Sequence, residues 1–462
     1  MSVHLPTAEM VELTKKTKII DDLLGGTATM RKAAQTYLFQ MEMEEPDSYR
    51  KRLERSTLYP ALSETLSQMT GRVFFNPIDV ADVTETVQAL FDDVDLVGNN
   101  LDVFASRWFY SALAYGCSFA LIDFTRVEAV KNRAEEKALN ARPYWVHIKP
   151  HQVLGMKTAR VNGKQAITQF RYVVNEQVED GEFGVKTVKH VYVYEIGKVR
   201  KFSEAEGEFR FESELQLTAQ NRPLDFVPVV PFITKRNELT NAIEPPLMEL
   251  AYLNVKHWQS QSDQDNITNI ARVPLLAIYS NDEVKQLAIG GSAVHLPTGS
   301  SMQFVEHSGQ AIASGVESLK DLEEQMKTAG AKLLTKTALA MTDSQARDEA
   351  GKEISQLRLL ANRFEDAIDL ALEYTGHWLG IAKEQVGNVQ ISGNIENDLD
   401  PAASMASVIQ LRNAGVISNQ STFDEAKRRG LLADGLEWDT EQERLQSEGM
   451  HFDLEETSET NA

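Results

Sequence analysis

Apolar residues at three- and four-residue steps mark a helix behind Glu244-Pro245-Pro246, where Leu247, Leu250, Ala251, Val255 and Trp258 share one face. Proline suits such a first turn, because the N–H it lacks would have had no partner there. From Gln259 the pattern turns to Gln-Ser-Gln-Ser-Asp-Gln-Asp-Asn, polar on every side, with no Gly or Pro to stop it. A helix polar all round bridges solvent between two bodies or packs on copies of itself. Continued to Arg272, it would be a strut about 40 Å long at 1.5 Å per residue.

The next segment reads as strands. Val273 to Tyr279 is apolar and rich in branched residues, Ala293 to Leu296 and Met302 to Glu306 are two more short candidates, and Gly290-Gly291, Pro297 and Gly299 punctuate them. A second helical stripe follows from Ile312 to Gly330, carrying Val316, Leu319, Leu322 and Met326 opposite Lys320, Asp321, Glu324 and Lys327. The order predicts a small β module carried on two struts. After it, Thr335 to Ser344 is too polar for core and too short for a domain, which is the pattern of a loop with a job. Lys352 to Leu379 is the best amphipathic helix in the chain, with Ile354, Leu357, Leu360, Ala361, Phe364, Ile368, Ala371, Leu372 and Trp378 in helical register.

The first 240 residues divide in two. Helical patterns cover Glu9 to Leu23, Arg31 to Met43, Ser48 to Thr70 and Leu101 to Tyr115. Trp145 to Phe232 is strand-rich, and Ile167–Val174 and Val188–Glu195 alternate as antiparallel strands with one wet face do. Asp180-Gly181 marks the turn between them, and the intervening residues suggest a long loop in place of a tight hairpin. At the other end, Pro401 to Leu432 reads as helix interrupted at Gly415, and Thr440 to Glu448 as a terminal helix. From Gly435 on, nine acidic residues face one Arg, the composition of a solvated tail.

Composition narrows the function classes. At 462 residues, 42% hydrophobic and 25% charged, the chain has the make-up of an ordinary soluble protein of two or more modules. No apolar run of about 18 residues and no signal sequence is visible, so no membrane partner and a cytoplasmic site of assembly are expected. The lone cysteine, Cys117, sits in an apolar run and reads as a buried structural thiol. Asn162-Gly163-Lys164-Gln165 lacks the first glycine and the hydroxyl of a phosphate-binding loop. Lys149-Pro150 between His147 and His151 prevents a helical metal pair, and Asp92, Asp93 and Asp95 ahead of Gly98-Asn99-Asn100 lack the positions of a calcium loop, leaving a polar helix-to-helix turn. No Ser/His/Asp set is convergent. No catalytic residue, metal or cofactor is therefore expected, and the chain is read as no enzyme.

A resemblance gives these elements a function. Arg52-Leu53-Glu54-Arg55-Ser56 with Gly71-Arg72-Val73-Phe74, then Tyr115 to Asp123, Arg142-Pro143-Tyr144, Pro245-Pro246-Leu247 with Leu250-Ala251-Tyr252-Leu253-Asn254, Phe304 to Gly309, and Ala414 to Ser418 ahead of an acidic helix together resemble bacteriophage portal proteins, the head-to-tail connectors of tailed phages. These stretches span most of residues 11–445.

The resemblance implies an α+β protomer with an α/β wing, two stem helices, a small β-containing clip, a long wing helix with a tunnel loop, and a helical C-terminal crown. Residues 1–241 would be wing, helical to about 125 and strand-rich over 140–235. Residues 242–272 would be the first stem helix, 273–310 the clip, 311–330 the second stem helix and 331–350 the tunnel loop. Residues 351–400 would form the long helix and its return to the wing, and 401–462 the crown and acidic tail. It further implies a homo-oligomeric, dodecameric ring at one capsid vertex of the virion, assembled in the bacterial host cytoplasm. Through its channel dsDNA would be packaged and ejected. Its partners would be the terminase large subunit, then head-completion or adaptor proteins, with major capsid and scaffold proteins around it. Another phage head component, such as a minor capsid or adaptor protein, is the alternative.

The net charge of −21 suits a wall along which DNA slides, since tight grip comes from Lys and Arg neutralising phosphates. Lys327, Lys332 and Lys336 are the candidate channel residues. For Lys327 an ordinary solvated helix face paired with nearby acids is the favoured reading. For Lys332 and Lys336 that reading and transient contact with DNA phosphates stand side by side.

Overall fold

The computed structural model describes residues 2–125, 141–161, 163–272, 275–279, 301–305, 310–334, 336–337, 354–393, 401–428, 431–433 and 435–447. Its class is α+β. Helices α1 (Ala8–Leu24), α2 (Gly26–Ala33), α3 (Pro46–Arg55) and α4 (Ala61–Val73) lead through strand β1 (Asp79–Val83) and the short α5 (Glu85–Gln88) to α6 (Leu101–Tyr115). The helix expected over Arg31 to Met43 stops instead at Ala33, because Ala34 turns to φ 47° and opens a 3₁₀ turn. That expected over Ser48 to Thr70 is two helices, broken where Ser56 turns extended and Pro60 precedes α4.

Strands β2 (Cys117–Phe124) and β3 (Pro143–Ile148) begin the sheets. The meander β4 (Val153–Val161), β5 (Lys164–Asp180), β6 (Gly184–Glu195), β7 (Lys198–Ala205) and β8 (Glu208–Gln216) forms a five-stranded antiparallel sheet in chain order. Asp180 pairs directly with Gly184, so the β5–β6 connection is a tight hairpin and not the long loop expected. The strands simply extend beyond their apolar alternation, through residues such as Glu176 and Lys186 that are wet on both faces. After the two-residue strands β9 (Thr218–Ala219) and β10 (Arg222–Pro223), β11 (Val229–Ile233) joins a second sheet in the order β11-β2-β3. Central β2 is buried from Cys117 to Asp123, as a strand covered on both faces must be.

The chain then forms α7 (Met248–Ala271), β12 (Leu275–Tyr279), β13 (Ser301–Val305), α8 (Gln310–Ala331), the short pair β14 (Lys336–Thr337) and β15 (Ile354–Ser355), and α9 (Gln356–Leu379). The last begins four residues later than its apolar stripe suggested. The Ser355 hydroxyl accepts the Arg358 N–H at 3.2 Å and caps the helix there. Strand β16 (Val386–Gln390) returns to pair with β1, and α10 (Pro401–Asn413), α11 (Asn419–Arg428) and α12 (Trp438–Ser447) follow, with Gly415 at φ 71° between the first two. The strand candidate Ala293–Leu296, nearly all of the polar loop after α8, and the end of the acidic tail lie outside the described residues.

The core is aromatic where α6, α9 and the β11-β2-β3 sheet meet. Trp108 and Phe364 lie edge to face at 4.9 Å, and Phe364 also meets Phe109 and Phe232 at 5.3 and 4.8 Å. Indole N–H groups pin α9 to the sheet: Trp378 donates to the Ile122 carbonyl at 3.0 Å, and on α9 Thr375 accepts from Trp145 at 2.9 Å.

Candidate functional site

Two long helices, α7 and α8, flank the β12–β13 sheet. Strands β12 and β13 pair antiparallel from Leu275 opposite Val305 to Tyr279 opposite Ser301, so the helices that lead into and out of them run antiparallel. Their register is fixed by side chains. Gln264 donates to the Ile312 carbonyl at 2.9 Å, and the His257 Nε2 lies 3.8 Å from the Glu323 Oε1 about two turns nearer the body. Gly315 leaves room for the buried Gln264 amide, which a Cβ there would overlap. At their root Leu247, Leu250, Ala251 and Trp258 are buried in the main core, as their spacing predicts.

The polar half of α7 behaves differently from expectation. It is not a bare solvent bridge, because Ser262 and Gln264 are buried and Asp263 meets Arg52 of α3 at 3.2 Å. Arg52, only 2% exposed in its side chain, forks onto both oxygens of Glu44 at 2.7 Å and donates to the Phe39 carbonyl at 2.7 Å. Those hydrogen bonds hold the Glu44 carboxyl below the usual glutamate range. Arg52 belongs to the Arg-Leu-x-Arg-Ser stretch singled out in the sequence, yet its role as a clamp on α7 depends on a partner 211 residues away, which no local pattern reveals.

The candidate lysines follow one another along the chain from the end of α8. Lys327, on the last turns of α8, is exposed and pairs with Glu324 at 2.7 Å, which raises the basicity of its amine. Lys332 is exposed in the 3₁₀ turn Lys332–Leu334, whose Leu333 is buried. Lys336 opens β14, its backbone opposite Ser355. The fold thus places Lys327 at the end of α8 and Lys332 and Lys336 in the segment that follows it.

The other sites weighed from sequence resolve as structural. His147 is the next-to-last residue of β3 and its Nε2 lies 2.8 Å from the Ser118 hydroxyl, while His151 lies beyond Lys149-Pro150 in a separate turn. Burial, and then the charges of Lys149 and Arg107, push His147 down to about 4. Asp95 accepts from the Val97 and Asn99 N–H groups and Asp93 from Gly98, so this acidic stretch closes the polar turn ahead of α6. Cys117 is fully buried and its thiol is pushed up to about 12 by desolvation. Among the described residues, no group of three or more His, Cys, Asp or Glu side chains is arranged to hold a metal ion, and no helix is long and apolar enough to cross a membrane.

Residues 246–379, which run from the root of α7 to the end of α9, match a family described as a domain of unknown function (DUF4055). No curated protein matches the chain. Solved structures similar to it include a chain from the neck of an empty GTA particle computed with C6 symmetry, 12% identical, with a TM-score of 0.43 over 81% of this chain and 90% of that one. A chain from the virion of a native gene transfer agent (GTA) particle is 11% identical, with a TM-score of 0.41 over 87% of this chain and 98% of that one. A third, from the neck of the native GTA particle computed with C12 symmetry, is 11% identical, with a TM-score of 0.40 over 82% and 90%.

Proposed function

We propose that this chain is a phage portal protein, a structural subunit and not an enzyme. Copies of it would form a dodecameric ring at one capsid vertex, through which dsDNA enters during packaging and leaves on ejection. The observation that carries the reading is the antiparallel pair α7 and α8, rooted in the α+β body, bearing the β12–β13 sheet at its far end, and followed by α9 buried behind it. This is the order of stem, clip, stem, tunnel segment and wing helix that the sequence resemblance implies.

The physics of the pair suits that role. At 24 and 22 residues the helices are rods of about 36 and 33 Å. Among the described residues β12 pairs with β13 alone, and a two-stranded sheet is marginal by itself, so contact between neighbouring clips in a ring would add to its stability. A closed ring needs head-to-tail contacts between unlike faces of each protomer. The clip would then meet the terminase large subunit and later the head-completion or adaptor proteins, with the wing toward capsid and scaffold proteins.

Light scattering with negative-stain imaging of the purified chain tests the proposal. Twelve copies of the 51.7 kDa chain weigh about 620 kDa and should appear as annuli with a central hole. A chain that stays monomeric both alone and with its capsid and scaffold partners would favour an adaptor or minor capsid component.

A further inference from the structure

Three large apolar side chains, Phe39, Met41 and Met43, stand 67%, 47% and 93% exposed on the connection between α2 and α3. Single exposed apolar residues are ordinary, but three so close together form a patch, and methionine adapts readily to an apolar partner surface. The connection that carries them is braced. Arg52 donates to the Phe39 carbonyl at 2.7 Å while gripping Glu44, whose carboxylate in turn accepts the Met41 N–H at 3.1 Å. The Gln40 amide donates to the Glu44 carbonyl at 2.7 Å, and the Tyr49 hydroxyl to the Leu38 carbonyl at 2.9 Å. The buried clamp therefore fixes the backbone behind the patch, and docking it costs little further ordering.

A receiving surface lies elsewhere on the same chain. A hollow of about 570 Å³ opens between α4, α6 and the turn after β3, with Leu24 and the half-buried rings of Tyr110 and Tyr115 in its walls. Exposed Arg107 and Lys149 also border it, and neither forms an ion pair among the described residues. The patch carries the opposite sign, since exposed Glu42 and Glu45 flank Met43 and are likewise unpaired among the described residues. Within one chain the patch is exposed while the hollow stands open, and the clamp holds the patch where it is. The two can therefore meet only between copies.

We propose that the patch of one copy docks in the hollow between α4 and α6 of a second copy, a contact that rests on the ring reading and deepens it. Patch and hollow are unlike faces, as head-to-tail closure demands. The three apolar side chains supply the affinity, helped by the attraction of methionine sulfur to the tyrosine rings. Glu42 and Glu45, opposite Arg107 and Lys149, set the register and reject other orientations.

Mixing two variants of the full-length protein, with mass read by analytical ultracentrifugation, tests the contact. Phe39→Ser with Met43→Ser removes the patch and keeps the hollow, whereas Arg107→Glu with Lys149→Glu spoils the hollow and keeps the patch. All four positions are exposed, so both variants should retain the wild-type melting temperature. Each alone should self-associate more weakly than wild type by about ten-fold or more and form no rings. An equimolar mixture should instead yield a pair of about 103 kDa, twice the 51.7 kDa chain, because one intact patch then faces one intact hollow. Rings of undiminished mass from either variant, or a mixture no heavier than its parts, would overturn the contact and leave the ring reading in place. A wild-type chain that never self-associates would remove both.

Discussion

Arg52 of α3 and Asp263 of α7 lie 211 residues apart in the chain and meet at 3.2 Å, fastening the polar half of the long helix to the N-terminal helices. The same guanidinium holds both oxygens of Glu44, whose side chain is only 8% exposed. Removing the arginine strands a buried carboxylate, the costly way to break an ion pair. Arg52→Met should therefore destabilise the fold by about 3–5 kcal/mol, whereas Asp263→Asn, at a half-exposed partner, should cost less than about 1 kcal/mol. Denaturant unfolding of the two variants measures the difference. Because Arg52 lowers the Glu44 pKa, this stability is present above the unfolded glutamate value of about 4.3 and fades as pH falls through the lower folded value, so Arg52→Met should flatten that acid limb.

His147 carries a second pH dependence. Its folded pKa lies at about 4, pushed down by burial, so the unfolded chain takes up a proton that the folded chain refuses. The stability it contributes is complete above the unfolded value of about 6.5 and drains away as pH falls toward 4, by about 3 kcal/mol in all. His147→Gln should remove that slope between pH 6.5 and 4 while lowering stability at neutral pH through altered bonding to Ser118. Thermal melts across the range read both effects, and an unchanged slope would refute the assignment.

Gly116 ends α6 at φ 87°, and a Cβ there would stand 2.8 Å from the backbone carbon of Glu244, just ahead of α7. Its carbonyl also accepts from the Thr234 N–H at 2.9 Å and hydroxyl at 3.0 Å. Gly116→Ala should cost about 1–2 kcal/mol from conformation alone and more from the collision with rigid backbone. Gly181→Ala is the control, because φ there is 78° but nothing lies within 4 Å, so only the conformational part should appear in its unfolding free energy.

What was legible in the sequence follows from which forces are local. The stripe Leu357, Leu360, Ala361, Phe364, Ile368, Ala371, Leu372 and Trp378 is buried as a 3.6-residue period requires, and so is the apolar root of α7, although that helix opens at Met248, two residues beyond the Pro245-Pro246 start that was expected. Boundaries failed where one residue overrode the period. Ala34 in a left-handed conformation ended α2, Pro60 divided a run read as continuous, and the Ser355 hydroxyl capped α9 after its stripe had begun. The tight hairpin at Asp180–Gly184 was missed because strands exposed on both faces lose the alternation that announces them. Least legible was a contact made across the chain, the Arg52 clamp on α7, whose partner lies 211 residues away and leaves no periodic signal.

Gln261 lies inside α7 and donates to Asp265 one turn on at 2.8 Å. Gln261→Pro removes a backbone donor and forces a kink, at about 3 kcal/mol for a helix interior. In the ring reading this displaces the β12–β13 tip, so the variant should keep its folded wing by circular dichroism yet lose the closed annulus on imaging. Normal rings would show that α7 is no stem.

Lys327 and Lys332 separate the ordinary from the functional reading of the lysines. Lys327 is exposed and already paired with Glu324, so Lys327→Gln should leave melting temperature and DNA passage alike unchanged. Lys332 is exposed in the turn beyond α8, where the portal reading puts the narrowest part of the channel. A lysine that touches passing phosphates releases counterions as it binds, so Lys332→Gln should slow packaging at low salt and reduce its salt dependence, with no change in ring mass. Packaging rates measured across a salt series decide the matter. An unaltered rate and slope in Lys332→Gln would make its charge an ordinary solvated one, and within the portal reading would leave the net charge of −21, repulsive to phosphates, as the feature to test next.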